Sequence, residues 1–159
     1  MRSEVAFLGT DGYIPRSNTF MLMDYKRLAT LARNARKYSR SPYSRFRVGS
    51  ALLTTAGKVF TGCNIENSSF GLTICAERTA LFKAVSEGHS HFRAIAVATD
   101  ERSYIAPCGA CRQVILDLAG NIDVVLVNRQ GGIMVMKAGD LIPHPFGPED
   151  LLHGKRRRR

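Results

Sequence analysis

Nowhere in the 159 residues is there an apolar run of 18 or more, the length a helix needs to cross a bilayer, so a membrane span is excluded. The first residues also lack the long apolar stretch and small-residue cleavage site of a secretory leader. With no sign of export, the four cysteines are expected to be reduced thiols or metal ligands and not two disulfides, which points to the cytoplasm. No internal repeat or interior linker appears, and at 45% hydrophobic the chain suits one domain with a sizeable core. Acidic residues are outnumbered, 13 against 23 lysines and arginines, for a formal net charge of +10. Half of that excess is one terminal run, Lys155 to Arg159, without which the balance is about +5, ordinary for a soluble domain. The residues 154–159 read first as a disordered basic tail; a nucleic-acid arm or a nuclear address is the sharper alternative.

What is present is a period that changes along the chain. Residues 1–22 carry Gly, Pro, Ser and Asn without a sustained pattern and are read as an irregular extension. Residues 23–153 form the domain. Asp24 is a good N-cap, and Tyr25, Leu28, Ala29, Ala32 and Ala35 follow at helical spacing. Pro42 biases Ser41 away from the helical region, so this helix should end near Tyr38. Alternation from Val48 to Thr54, a turn at Ala56-Gly57, and Lys58 to Cys63 predict a β-hairpin. Residues 64–73 read as a loop feeding a helix that opens at Cys75 and stops at Gly88. A strand at Phe92–Ala98, a helix at Cys108–Ala119, and strands at Ile122–Val127 and Ile133–Lys137 follow, with 141–152 closing the domain. Alternating strands and helices after a hairpin imply a mixed sheet covered on both faces.

The chemistry gathers at two helix starts. In PCGAC, Cys108 and Cys111 lie three apart, which puts both thiols on one face of a helix N-terminus. Cys75 opens the other helix. Both helix dipoles favour thiolates there, the form a metal needs. Thiolates select zinc or an iron–sulfur cluster, and three ligands with one open position is the catalytic zinc pattern. A four-cysteine structural site including Cys63 is the alternative, although the chain has only one close Cys pair. Glu77, two residues after Cys75, favours catalysis: a structural site gains nothing from added negative charge, whereas a hydrolytic one needs a proton carrier.

CAERTALFKAVSEG, PCGACRQV and GCNIENSSFG together resemble the cytidine deaminase family, in its small, homotetrameric, zinc-dependent branch. The likeness runs from about Lys37 to Leu151. It implies a three-layer α/β/α sandwich with a mixed, mainly five-stranded sheet, one Zn2+ per subunit, and sites shared between subunits of a homotetramer. It also implies hydrolytic deamination of cytidine and 2′-deoxycytidine in pyrimidine salvage. Cys75, Cys108 and Cys111 take the zinc-ligand places and Glu77 the proton-shuttle place. Asn64 and Glu66 match the pair that holds the ribose hydroxyls, and Phe46 matches a wall of the pyrimidine pocket. Phe70 stands where members commonly carry Tyr, so a hydroxyl contact is missing there. Ala76 falls among the substrate-binding positions, and Phe146 matches an aromatic that closes a neighbouring subunit's site. On physical grounds alone the three phenylalanines are core candidates.

Three thiolates on zinc total about −1, which makes water harder to activate than at an imidazole site. Two helix N-termini offset that charge, and Arg78 and Arg112 are expected to donate hydrogen bonds to thiolate sulfurs. A deaminase acting on single-stranded nucleic acid fits the basic tail, but such enzymes mostly present HxE where this chain has CxE, and Glu66 opposes a 3′ phosphate. A blasticidin-type antibiotic deaminase departs at the ribose loop, against NIEN. A noncatalytic zinc-stabilised interaction domain has no use for Glu77. The partner expected is thus a small nucleoside.

Overall fold

Alanine and glycine set how closely the layers approach. The computed structural model describes residues 6–8 and 19–151, with side chains from Asp24 onward. The tail at 154–159 and most of the N-terminal extension lie outside the described residues. Strands β1 (Ala6–Leu8), β2 (Val48–Thr54), β3 (Val59–Cys63), β4 (Phe92–Thr99), β5 (Asp123–Val127) and β6 (Ile133–Lys137) form one sheet in the order β1-β6-β5-β4-β2-β3. Only β4 and β5 pair in parallel, and the connection between them carries helix α3 (Gly109–Ala119). The other pairs are antiparallel, so the sheet is mixed as expected, with β1 added beside β6 as a sixth strand.

Period-2 alternation sorts the strands between two faces. On one face, Ala51, Leu53, Ala94, Ala96, Ala98, Val125 and Val127 receive Tyr25, Leu28, Ala29 and Ala32 of α1 (Thr19–Ala35). On the other, Leu52, Phe60, Ile95, Val124 and Leu126 pack with Ala80, Leu81 and Ala84 of α2 (Ala76–Ser86) and Ile115 of α3. The result is the α/β/α sandwich. The Tyr25 hydroxyl donates to Asp123 Oδ2 at 2.7 Å inside the first interface, a buried bond joining α1 to β5.

Two glycines let helices touch strand backbone. A Cβ on Gly49 would lie 2.1 Å from Ala32 O and 2.3 Å from Arg36 N of the chain leaving α1. On the opposite face, a Cβ on Gly62 would lie 2.5 Å from Ala76 O and 2.6 Å from Ala80 N. The second contact seats the first turn of α2, which carries the candidate chemistry.

The N-terminal reading differs from expectation: residues 1–22, expected to be irregular, contribute β1 and the first residues of α1. Helix α1 begins at Thr19, five residues before Asp24, so Asp24 is not its N-cap. The Asp24 carboxylate pairs instead with Arg93 of β4 at 2.9 Å. Among the described residues no helix is long and apolar enough to cross a membrane.

Candidate metal centre and cavity

Cys75 and Cys108 are the N-caps of α2 and α3, both in extended backbone conformation. A capping side chain normally accepts a hydrogen bond from the first turn. Neither sulfur does so, which leaves both free to face each other. Their Sγ atoms lie 3.8 Å apart, and Cys111, one turn into α3 and fully buried, brings its sulfur within 4.8 Å of both. Two sulfurs on a tetrahedral zinc, each bonded at about 2.3 Å, stand about 3.8 Å apart. The donor set and its spacing fit one zinc ion per chain. Cys63 is elsewhere: its thiol donates to Tyr38 O at 3.4 Å, burial pushes its pKa up, and it takes no part in the cluster. The four-cysteine alternative therefore falls away.

Charge accounting explains why this cluster calls for a cation. The Cys75 thiolate is pushed down to about 5 by its hydrogen bonds with Cys111, with Arg78, whose Nη2 donates to its sulfur at 3.4 Å, and with Cys108. Cys111 is pushed up, chiefly because it donates to that same sulfur and because it is buried. The Cys75 charge is thus stabilised by its neighbours, while the buried Cys111 thiol gives up its proton more readily once a positive ion stands beside it. Glu77 sits in the first turn of α2, 4% exposed, and burial raises its carboxyl to about 7, with the Cys75 charge adding to the rise. A carboxyl poised there can accept and return a proton near neutral pH.

A cavity of about 490 Å³ opens onto this centre. Cys75, Cys108 and Glu77 line its floor, and Phe46, Phe70, Asn64 and Glu66 are also in its walls. Six of those seven come from two helix starts and the loops flanking β2 and β3; Phe70 comes from the short 3-10 turn Phe70–Leu72. Ala76 is wholly buried and does not line the cavity through its side chain. Phe146 is 58% exposed and lies outside the lining of its own chain's cavity. A second cleft of about 380 Å³ at the β3 edge holds Cys63 and Lys83 but no cluster of ligating groups, so the chemistry belongs to the larger space.

Asn64 and Glu66 also hold the loop before β2. Asn64 Oδ1 accepts from Ser39 Oγ at 2.6 Å and from the Val48 amide at 2.9 Å, and its Nδ2 donates to Phe46 O at 2.8 Å. Glu66 accepts from the Ser44 hydroxyl and from the amides of Tyr43, at 2.9 Å, and Ser44, at 3.2 Å. Those donors, the Ser44 hydroxyl first, hold its carboxyl below the ordinary range. Sequence reasoning missed Ser44, which also accepts from the Phe46 amide, and the lining residues Val48, Thr73, Val97, Thr99, Ile105 and Ala106. Val97 and Thr99 share the Ile95 face of β4, a signal that alternation carried but that did not distinguish cavity wall from core.

Arg112 corrects an expectation. Its Nε donates to Pro107 O at 2.7 Å and its Nη1 to Leu141 O at 3.1 Å, so its hydrogen bonds go to backbone and not to sulfur. Arg78 alone of the two meets a thiolate.

Comparison with known proteins agrees with this arrangement. Residues 23–128 match the model of the cytidine and deoxycytidylate deaminase zinc-binding region. The chain is 51% identical over 122 residues to the probable cytidine deaminase of Dictyostelium discoideum, covering 76% of this chain and 82% of that one. It is 50% identical over 130 residues to a cytidine deaminase of Halalkalibacterium halodurans, covering 81% and 98%. The solved cytidine deaminase of Burkholderia pseudomallei superposes with a TM-score of 0.73 at 52% identity, covering 76% and 97%. That of Mycobacterium tuberculosis superposes at 0.67 with 39% identity, covering 78% and 98%. With three sulfurs at zinc spacing, a buried carboxyl beside them and a match across both helix starts, the chain belongs to the cytidine and deoxycytidylate deaminase family.

Proposed function

We propose that the protein hydrolyses free cytidine and 2′-deoxycytidine to uridine and 2′-deoxyuridine, releasing ammonia, in cytoplasmic pyrimidine salvage. The observation that carries this reading is the Glu77 carboxyl, buried beside the three sulfurs and open to the cavity. When bound at Cys75, Cys108 and Cys111, zinc supplies Lewis acidity that makes water a nucleophile near neutral pH. Glu77 accepts a proton from the attacking water and delivers it to N3 of the cytosine. Oxygen bonds to C4, and Glu77 then takes the remaining proton from the new C4 hydroxyl and passes it to the exocyclic nitrogen. The C4–N bond breaks and ammonia leaves, so water and cytidine balance against uridine and ammonia. Arg78 steadies the negative charge on Cys75 throughout.

The sugar end follows from Asn64 and Glu66. Both are nearly buried at the cavity wall, and Glu66 stays ionised because three donors satisfy it. A fixed negative charge there accepts from sugar hydroxyls and repels a phosphate, which favours a free nucleoside over a polynucleotide. Phe46 and Phe70 offer apolar walls to the base, Phe70 without a hydroxyl. The exposed ring of Phe146 is read as closing the cavity of a second copy within a homotetramer.

Ammonia release from cytidine, 2′-deoxycytidine, blasticidin S and single-stranded RNA, measured in parallel on the zinc-loaded protein, tests the reading. Turnover of both nucleosides with the other two at background is expected. Preferred turnover of RNA or of blasticidin S overturns it.

A further inference from the structure

Residues 143–146 leave the domain with little to hold them. Pro143 and Pro145 have no amide hydrogen to donate, and the segment joins no strand. Among the described residues its hydrogen bonds come from one side chain. Gln113 Nε2 donates to Phe146 O at 2.6 Å, and the Phe146 amide donates to Gln113 Oε1 at 3.2 Å. The amide of Gln113 thereby grips both polar groups of one backbone residue, as a neighbouring strand would. Gln113 stands on α3 two residues after Cys111, and Arg112 between them ties Pro107 O to Leu141 O. Three consecutive residues therefore face two tasks: Cys111 joins the sulfur cluster, and the next two fasten the C-terminal segment to the same helix.

We propose that Gln113 is a positioning residue that clamps the Phe146 backbone to the sulfur-bearing helix, so that the ring is presented at a fixed distance from the metal centre to the cavity of a second copy. This rests on the shared-site reading above. A clamp on the backbone leaves the side chain free, which matches a ring that is 58% exposed while its main chain is doubly bonded. Fixing the ring in advance removes the ordering cost that substrate binding would otherwise meet. Loss of the clamp therefore weakens substrate binding while the chemical step, which Phe146 does not touch, proceeds as before.

The test is a double-mutant cycle on the zinc-loaded enzyme, read as KM and kcat for cytidine, with zinc content and assembly mass measured alongside. Phe146→Ala is expected to raise KM about tenfold or more, as expected when an apolar ring no longer covers the bound base. Gln113→Leu, close in size but without the amide, is expected to raise KM by a similar factor, with kcat within about twofold and zinc unchanged. The double variant should match Phe146→Ala alone, because a clamp has no effect once its ring is gone. Gln113→Glu keeps the acceptor for the Phe146 amide, and an intermediate KM supports the clamp even if the leucine variant folds poorly. If Phe146→Ala raises KM but Gln113→Leu leaves it at the wild-type value, or if the two effects simply add, the clamp is overturned while the shared site stands. If Phe146→Ala has wild-type KM, the shared site itself falls.

Discussion

Replacing Gly62 by alanine tests how the sheet sets the position of the chemistry. The new Cβ would stand 2.5 Å from Ala76 O and 2.6 Å from Ala80 N, both helix backbone atoms that cannot rotate away. Relief requires α2 to retreat from β3 by at least 0.5 Å, and by 0.9 Å to reach ordinary contact. Overpacking of this kind costs about 1–3 kcal/mol. For a domain this long that lowers the thermal midpoint by roughly 3–9 °C. The helix that moves carries Cys75 at its N-cap and Glu77 in its first turn, and misplacing a reacting group by 1 Å costs on the order of 10²-fold in rate. Gly49→Ala is the matched control. Its Cβ meets the α1 backbone even more closely, yet α1 holds none of the metal or proton-transfer groups. Thermal melting, zinc stoichiometry and kcat on the two variants, assayed well below their midpoints, separate destabilisation from displacement. Both should melt early, and only Gly62→Ala should lose kcat or zinc disproportionately. A Gly62→Ala protein with wild-type midpoint and kcat, or a Gly49→Ala protein equally impaired in kcat, refutes the reasoning.

Other consequences are simpler. Tyr25→Phe removes a buried 2.7 Å bond to Asp123, across the sheet from the cavity, and should cost about 1–2 kcal/mol by denaturant melting with kcat unchanged; a variant as stable as wild type argues that the bond carries no net stability. Glu66 is held below the ordinary value of 4.5, so its bonds stabilise the folded loop fully above that pH and the contribution is lost as pH falls below it. The stability gap between wild type and Glu66→Gln should therefore shrink on acidification through that region, and a gap that widens contradicts the sign. Cys75→Ala removes one of three donors, and zinc content should fall well below one per chain; wild-type content argues against the three-sulfur centre.

The elements most legible in the sequence were those whose signal is local. Strand alternation in β2 and β4 is a property of neighbouring residues, and thiols at helix starts with Cys108 and Cys111 three apart restrict where sulfurs can point. Glu77 was legible for the same reason. What escaped depends on partners distant in the chain. Asp24 looks like an N-cap but answers Arg93, 69 positions away, and the helix continues past it toward Thr19. Arg112 looks placed for a sulfur, yet two carbonyls, Pro107 O and Leu141 O, claim its guanidinium. Asn64 read as a sugar ligand, while three of its hydrogen bonds hold the segment from Ser39 to Val48. Ser44 takes no role from its motif; its contacts with Glu66 and Phe46 and its place in the cavity lining mark it.

The central claim is that a buried carboxyl beside three zinc-binding sulfurs moves both protons of a cytidine deamination. It is tested most directly by Glu77→Gln, which keeps the shape of the side chain and removes its basicity. Zinc content and cytidine turnover should be measured on the same preparation. The account predicts zinc at the wild-type level with turnover reduced about 10²–10⁴-fold. Near-normal turnover with zinc in place would contradict it.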